Sequence, residues 1–141
     1  MPSLTPCCGA SVGAIPRRGD DILLLTRAWY PDGVAPPAGH DDHDGDSLAA
    51  EVAEETGLTV TWRRPLAERL WLPGLCASPP AIPLPGHWWR LEEIGVTGDL
   101  APDPIETRGA RWYSPREIED LVQVTMALAT GTITDAVRTT R

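Results

Sequence analysis

The chain reads AAEVAEETGL at residues 49–58, and this stretch decides how the rest is organised. Gly57 can adopt the left-handed conformation that ends a helix, so the stretch is predicted to form the last turns of one. Glu51, Glu54 and Glu55 would then share one face, about 5–6 Å apart. Such like charges repel each other, whereas a hard divalent cation would bind them together. An acidic face that only meets solvent is the alternative.

The preceding segment favours the metal-binding interpretation. Residues 36–47 read PPAGHDDHDGDS, with four Asp and two His leading directly into the predicted helix. So many oxygen donors before an acidic helix are difficult to explain by solvation alone. His40 and His43 beside the aspartates could also form a zinc or iron site. We prefer loop solvation, or contact of His40 with a substrate.

Together these two segments resemble the signature box of the Nudix hydrolases, Gly-x5-Glu-x7-Arg-Glu-(apolar)-x-Glu-Glu-x-Gly-(apolar). Gly39 resembles its opening glycine, and the second half matches at Glu51, Val52, Glu54, Glu55, Gly57 and Leu58. Ala50 stands where the box has arginine, and the front half is shorter by about one helical turn. Spacing therefore does not place the early loop glutamate, for which the candidates are Asp46, Asp42 and Asp44.

A second segment extends the resemblance towards the C-terminus. Glu106 lies six residues before Trp112, and Ser114 and Glu117 form a predicted capping box with a proline at the first helical position. In Nudix proteins the loop before such a Trp-containing strand often supplies a catalytic or metal-binding glutamate. The resemblance implies that role for Glu106, and a solvent-exposed loop carboxylate is the alternative.

The resemblance covers residues 11–131 and implies an α/β fold, an α/β/α sandwich with a mixed sheet and a loop–helix–loop metal site. It also implies Mg²⁺-dependent hydrolysis of a diphosphate linkage in a nucleoside diphosphate derivative or a similar small diphosphate, with Mn²⁺ as a substitute. Glu51, Glu54 and Glu55 would hold the metal. Glu54 or Glu106 would take the proton from the attacking water.

Further residues are candidates for substrate binding. Gly39 would let the backbone approach a phosphate closely. Arg27 or Arg90 could pair with a terminal phosphate, or form a structural ion pair. Trp29 and Trp88 could stack on a base, with core or rim packing as the alternative. Because neighbours in a strand point to opposite faces, one of Trp88 and Trp89 should face inward.

Composition limits the classes of function. The chain has 141 residues, 42% apolar and 23% charged, as expected for a single globular domain over residues 1–141. A net charge of −8 argues against nucleic acid as the main partner. No apolar run approaches the ~20 residues of a membrane span, and no signal peptide is evident. We expect a cytoplasmic protein that binds a small molecule and could form a homodimer.

Strands are predicted at residues 11–15, 22–27, 58–62, 87–91 with an extension to 96, and 109–113. The apolar run at 22–27 indicates a strand buried on both faces. Pro16 should lie at a strand end or edge. Residues 71–86 suit a long irregular loop. An apolar stripe predicts that the last helix continues from residue 115 to Gly131.

Two other functions are compatible with these features. The shortened box favours a non-catalytic Nudix-like module that binds a ligand or regulates. An isomerase of isoprenoid diphosphates would share the fold and use Cys and Glu, but Cys7 and Cys8 precede the first strand instead of lying beside the metal loop.

The alanine at position 50 should weaken orientation of the metal by the glutamates unless another arginine substitutes.

Overall fold

The computed structural model describes residues 9–28, 33–41, 45–73 and 86–121. Its elements in chain order are β1 (Ala10–Arg18), β2 (Asp21–Arg27), β3 (Val34–Ala35), β4 (Ala38–His40), α1 (Ser47–Thr56), β5 (Thr59–Pro73), β6 (Gly86–Thr97), β7 (Thr107–Tyr113) and α2 (Pro115–Glu119). Within these ranges, no helix is both long enough and apolar enough to cross a membrane.

The strands form a seven-stranded mixed sheet in the order β3-β2-β1-β6-β5, with β4 also paired to β1 and β7 to β2. β1 and β6 run parallel, whereas β1 is antiparallel to both β2 and β4. β1 pairs with β4 at residues 11–13 and with β2 at residues 17–18. The prediction that Pro16 ends a strand or lies at an edge is wrong. Pro16 lies inside β1 opposite Ile94 of β6. On the other side of β1 it falls between the residues that pair with β4 and those that pair with β2, where fewer ladder hydrogen bonds are required.

A helix covers each face of the sheet, which confirms the predicted sandwich. On one face, Leu48 and Val52 of α1 pack in a buried cluster with residues from β1, β2 and β6. On the other, Ile118 of α2 packs against Ile15 and Tyr113. Residues 22–25 of β2 are buried throughout, as the apolar run predicts, and Ile22 and Leu24 contribute to one cluster while Leu23 contributes to the other.

α1 ends and α2 begins where the sequence predicts. Asp46 caps the start of α1, and Gly57 ends it with a φ of 74°. Ser114 and Glu117 form the predicted capping box of α2. α2 ends at Glu119 with Asp120 as its C-cap, so the prediction of one continuous helix from residue 115 to Gly131 is wrong. Residues 122–131 lie outside the described part of the chain.

The strand before the expected long loop is longer than predicted. β5 runs to Pro73, where it pairs with Gly86 of β6, so the loop prediction is wrong at both of its ends. Residues 74–85 lie outside the described part of the chain. The register of β5 against β6 shifts at three places between Val60 and Leu70. These irregularities disturb the alternation of side chains by which a strand is identified in a sequence.

Candidate active site

The carboxylate of Glu51 lies directly against the backbone of Gly39. α1 carries the glutamate, and β4 carries the glycine. A Cβ atom placed on Gly39 would be 2.2 Å from Cδ of Glu51 and 2.4 Å and 2.5 Å from its two carboxylate oxygens. Any other residue at position 39 would therefore occupy the space of that carboxylate.

Glu55 lies one helical turn further along α1 and faces the same strand. Its Oε1 accepts a hydrogen bond from the backbone N–H of Ala38, 3.1 Å away. Burial raises the pKa of Glu55 well above its usual value, and the charge of Glu51, a hydrogen bond with Glu51 and the charge of Glu106 raise it further. The Ala38 amide opposes this increase without overcoming it. The fold thus holds two carboxylates together where a cation would relieve their repulsion.

The loop before β7 brings Glu106 to the same place. The N–H of Ala101 donates to the carbonyl of Thr56 over 2.8 Å, and the N–H of Asp103 donates to the carbonyl of Glu55 over 3.2 Å. Asp103 also accepts from the N–H of Ile105 at 2.8 Å, which tightens the turn before Glu106. The loop is therefore attached to the C-terminal end of α1, and this attachment explains why the charge of Glu106 acts on Glu55.

Arg27 places a guanidinium among these carboxylates. It ends β2 and pairs with Thr107, the residue that follows Glu106. Burial lowers the pKa of Arg27, while the charges of Glu55 and Glu106 act in the opposite direction. The half-buried Arg27 therefore places positive charge beside Glu55 and Glu106, where it could also attract a negatively charged ligand group.

Other predicted site residues are more exposed or lie outside the described ranges. Glu54 is exposed on α1, and Glu106 is exposed in its turn. Trp29, His43, Asp42 and Asp44 lie outside the described ranges. Within those ranges, no three His, Cys, Asp or Glu side chains are grouped closely enough to hold a metal ion.

An aromatic surface lies where the end of β5 pairs with the start of β6. Trp88 is 43% exposed, whereas Trp89 is 2% exposed, as expected for neighbours on opposite faces. The rings of Trp88 and Trp71 meet edge to face with centroids 5.1 Å apart, and the guanidinium of Arg69 lies 4.3 Å from the Trp88 ring. A cavity of about 320 Å³ opens there, with Asp41, Glu68 and Arg90 among its lining residues.

His40 connects these two regions of the sheet. It follows Gly39 in β4 and pairs with Ser11 of β1, whose other neighbour is Trp89 of β6. Its ring centroid lies 5.8 Å from that of His87. The pKa of the buried His87 is lowered by burial and then by the charge of His40.

An ion-pair network connects α1 with the sheet, and only the structural ion pair of Arg90 was among the alternatives given by the sequence. Arg63 of β5 bonds both Asp46, the cap of α1, and Glu92 of β6. Arg90 bonds Glu92 at 3.2 Å and Asp41 at 3.6 Å. The adjacent Glu92 and Glu93 interrupt the apolar β6 segment, and this pattern indicates buried carboxylates that need cationic partners. The sequence does not indicate which arginines reach them.

Comparisons of the sequence and of the structure with known proteins point to the same family. Residues 9–131 match the model of the NUDIX domain. The structure is similar to the MutT protein from Methanosarcina mazei Go1, with 20% identity, 99% of each chain covered and a TM-score of 0.68. It is also similar to the MutT NUDIX hydrolase from Burkholderia pseudomallei, with 19% identity, coverage of 89% of this chain and 95% of that one, and a TM-score of 0.63. A C. elegans Ap4A hydrolase in a binary complex matches with 18% identity, coverage of 92% and 93%, and a TM-score of 0.60. No curated protein sequence matches significantly.

Proposed function

We propose that this chain, which belongs to the Nudix family, is a Mg²⁺-dependent hydrolase of a diphosphate linkage in a nucleoside diphosphate derivative or a similar small diphosphate. Family membership establishes the class of enzyme, and the metal and the substrate are the proposed part. The observation that carries the proposal is the hydrogen-bonded pair of Glu51 and Glu55 beside Gly39, with Glu106 and Arg27 near enough for their charges to interact with Glu55.

The donor set fits a hard divalent cation. Glu51 and Glu55 share a hydrogen bond and repel each other when ionised, so a cation between them would remove an unfavourable interaction. Carboxylate oxygens suit Mg²⁺ and also Mn²⁺. We propose Glu51, Glu54 and Glu55 as the residues that would hold the metal. When bound, it would neutralise charge on the diphosphate oxygens and favour an activated water.

The proton of the attacking water requires a carboxylate within hydrogen-bond reach. Glu54 and Glu106 are the candidates, and both are exposed and able to meet a substrate. The position of Glu106 is supported by the attachment of its loop to α1. Arg27 would supply positive charge for a phosphate group near Glu55 and Glu106, and Gly39 leaves room for the Glu51 carboxylate.

The aromatic surface supports a substrate with a flat ring. Trp88 presents an exposed ring that Arg69 and Trp71 hold in place. Exposed aromatic rings stack on nucleotide bases, and the stacking depends little on which base is present. We propose that Trp88 contacts the base or a similar group, with His40 between it and the carboxylates. Trp29 stays a prediction, as do a single domain over 1–141, a homodimer and a cytoplasmic location.

The proposal is tested with a panel of nucleoside diphosphate derivatives. Purified protein is incubated with each compound and Mg²⁺, and released phosphate and nucleotide are measured. Glu51→Gln should lower the turnover of the wild type strongly but leave a measurable rate, because it removes one carboxylate without changing side-chain size. Asp20→Asn, which removes an exposed carboxylate from the turn between β1 and β2, is the matched control and should be as active as the wild type.

A binding module without catalysis is the second candidate. It is favoured by the absence of a preformed three-ligand metal cluster among the residues that the structure describes. Tight binding of a diphosphate with no turnover at any Mg²⁺ or Mn²⁺ concentration would support the module. Turnover that depends on Glu51 would exclude it.

A further inference from the structure

The cap residue of α1 is held by two different partners. Oδ1 of Asp46 accepts a hydrogen bond from the N–H of Ala49 at 3.2 Å, as an N-cap does. Its Oδ2 bonds the Nη1 of Arg63. Burial acts to raise the pKa of Asp46, but the Ala49 amide and Arg63 outweigh it and keep the pKa below its usual value. Asp46 therefore ties the start of α1 to strand β5.

Arg63 is itself held by a buried carboxylate. Its Nε donates to Oε1 of Glu92 over 3.0 Å, and its Nη2 donates to Oε2 over 2.5 Å. The Glu92 side chain is 9% exposed, so this two-bond pair is largely shielded from water. A guanidinium bonded in this way has little freedom, and its third nitrogen, Nη1, is directed at the helix cap.

The helix has no arginine of its own to perform this task. Ala50 lies one turn after Asp46, and its N–H donates to the Asp46 carbonyl at 3.1 Å. Helical side chains lean towards the N-terminus, so a long cation at position 50 would reach the Asp46 carboxylate. Ala50 supplies only a methyl group, and the guanidinium comes from the sheet instead.

We infer that Arg63 is a positioning residue for the metal-binding helix and compensates for the alanine at position 50. Glu51 directly follows that position, and its carboxylate fits closely against Gly39. A small shift of the first turn of α1 would move this carboxylate. Arg63 acts on the site through its ion pair with Asp46. This inference rests on the proposed function, since it assigns Arg63 to the same metal site.

The adjacent arginine provides a matched control. Arg64 bonds Glu93 at 3.1 Å, and Arg17 also bonds Glu93, at 2.8 Å. Neither of these ion pairs involves α1. Arg64→Met therefore removes a guanidinium from the next position of β5 and leaves the helix cap intact.

The test measures Mn²⁺ binding to the metal-free protein by calorimetry, and hydrogen exchange across residues 46–56 without metal. Arg63→Met should weaken Mn²⁺ binding about 10- to 100-fold and speed exchange in the first turn of α1. Ala50→Arg alone should change neither quantity. Added to Arg63→Met, Ala50→Arg should restore both. Arg64→Met should behave as the wild type.

Arg63→Met leaves Glu92 buried with fewer partners and could unfold the protein. The double variant Arg63→Met with Glu92→Met removes that charge and keeps apolar packing. Weak Mn²⁺ binding by this folded variant supports the inference, and wild-type binding overturns it. Failure of Ala50→Arg to restore binding also overturns it. A wild-type protein that binds no Mn²⁺ would refute the proposed function instead, and hydrogen exchange would still show whether Arg63 fixes α1.

Discussion

Substitution of Gly39 by alanine tests the geometry of the site most directly. The added Cβ would start 2.2 Å from Cδ of Glu51, whereas ordinary contact begins at 3.4 Å, so the carboxylate must move by about 1.2 Å. Gly39 does not have a positive φ, and alanine fits its backbone conformation. The atoms that must move are the end of a flexible side chain. We therefore expect the fold to survive while hydrolysis falls roughly 100-fold, the loss typical of a misplacement of about 1 Å.

The assay compares kcat, KM and the Mg²⁺ dependence of the rate in the wild type and Gly39→Ala. If the loss arises from displaced Glu51, the apparent affinity for Mg²⁺ should fall. The same substitution in a Glu51→Gln background should then cause little further loss, because the carboxylate is already gone. Urea unfolding of each variant verifies that stability is retained.

Two results would refute this reasoning. Full activity in Gly39→Ala would show that the position of the Glu51 carboxylate does not matter. An equal loss with and without Glu51, with KM raised and Mg²⁺ dependence unchanged, would show that Gly39 acts by contacting substrate phosphate through its backbone.

Three further predictions concern other parts of the site. The pKa of Glu55 is raised in the folded state, so the stability of the metal-free protein should fall as pH rises from the ordinary glutamate range through that raised pKa. Glu55→Gln should therefore raise the urea midpoint of unfolding at neutral pH and have no effect near pH 4. A lower midpoint at neutral pH would contradict this. One of Glu54→Gln and Glu106→Gln should lower kcat about 10²- to 10⁴-fold and remove the acidic limb of the pH–rate profile, as loss of a general base does; comparable small losses in both would exclude both residues from this role. Trp88→Ala should raise KM for a nucleotide substrate roughly 5- to 150-fold through lost stacking, whereas Trp62→Ala, which removes another exposed ring, should not; equal KM values in the two variants would argue against a base contact.

The sequence by itself determined the elements whose signals are local. The end of α1 at Gly57 follows from one residue in the left-handed conformation, and the start of α2 follows from a capping box and a proline. The continuous apolar run at residues 22–27 indicated a strand covered on both faces, and residues 22–25 are buried in β2. The spacing of Glu51, Glu54 and Glu55 on one helical face likewise depends only on helix geometry.

Only the tertiary structure decided which distant side chains meet. Gly39 was predicted to approach phosphate, and its contact with Glu51 appears only when β4 packs beside α1. The length of β5 was missed because its register shifts disrupt the period of two. Arg63 is one of twelve arginines in the chain, and no local pattern marks it as the partner of Asp46 and Glu92. Its role depends on contacts between residues far apart in sequence, which periodicity and local propensity do not encode.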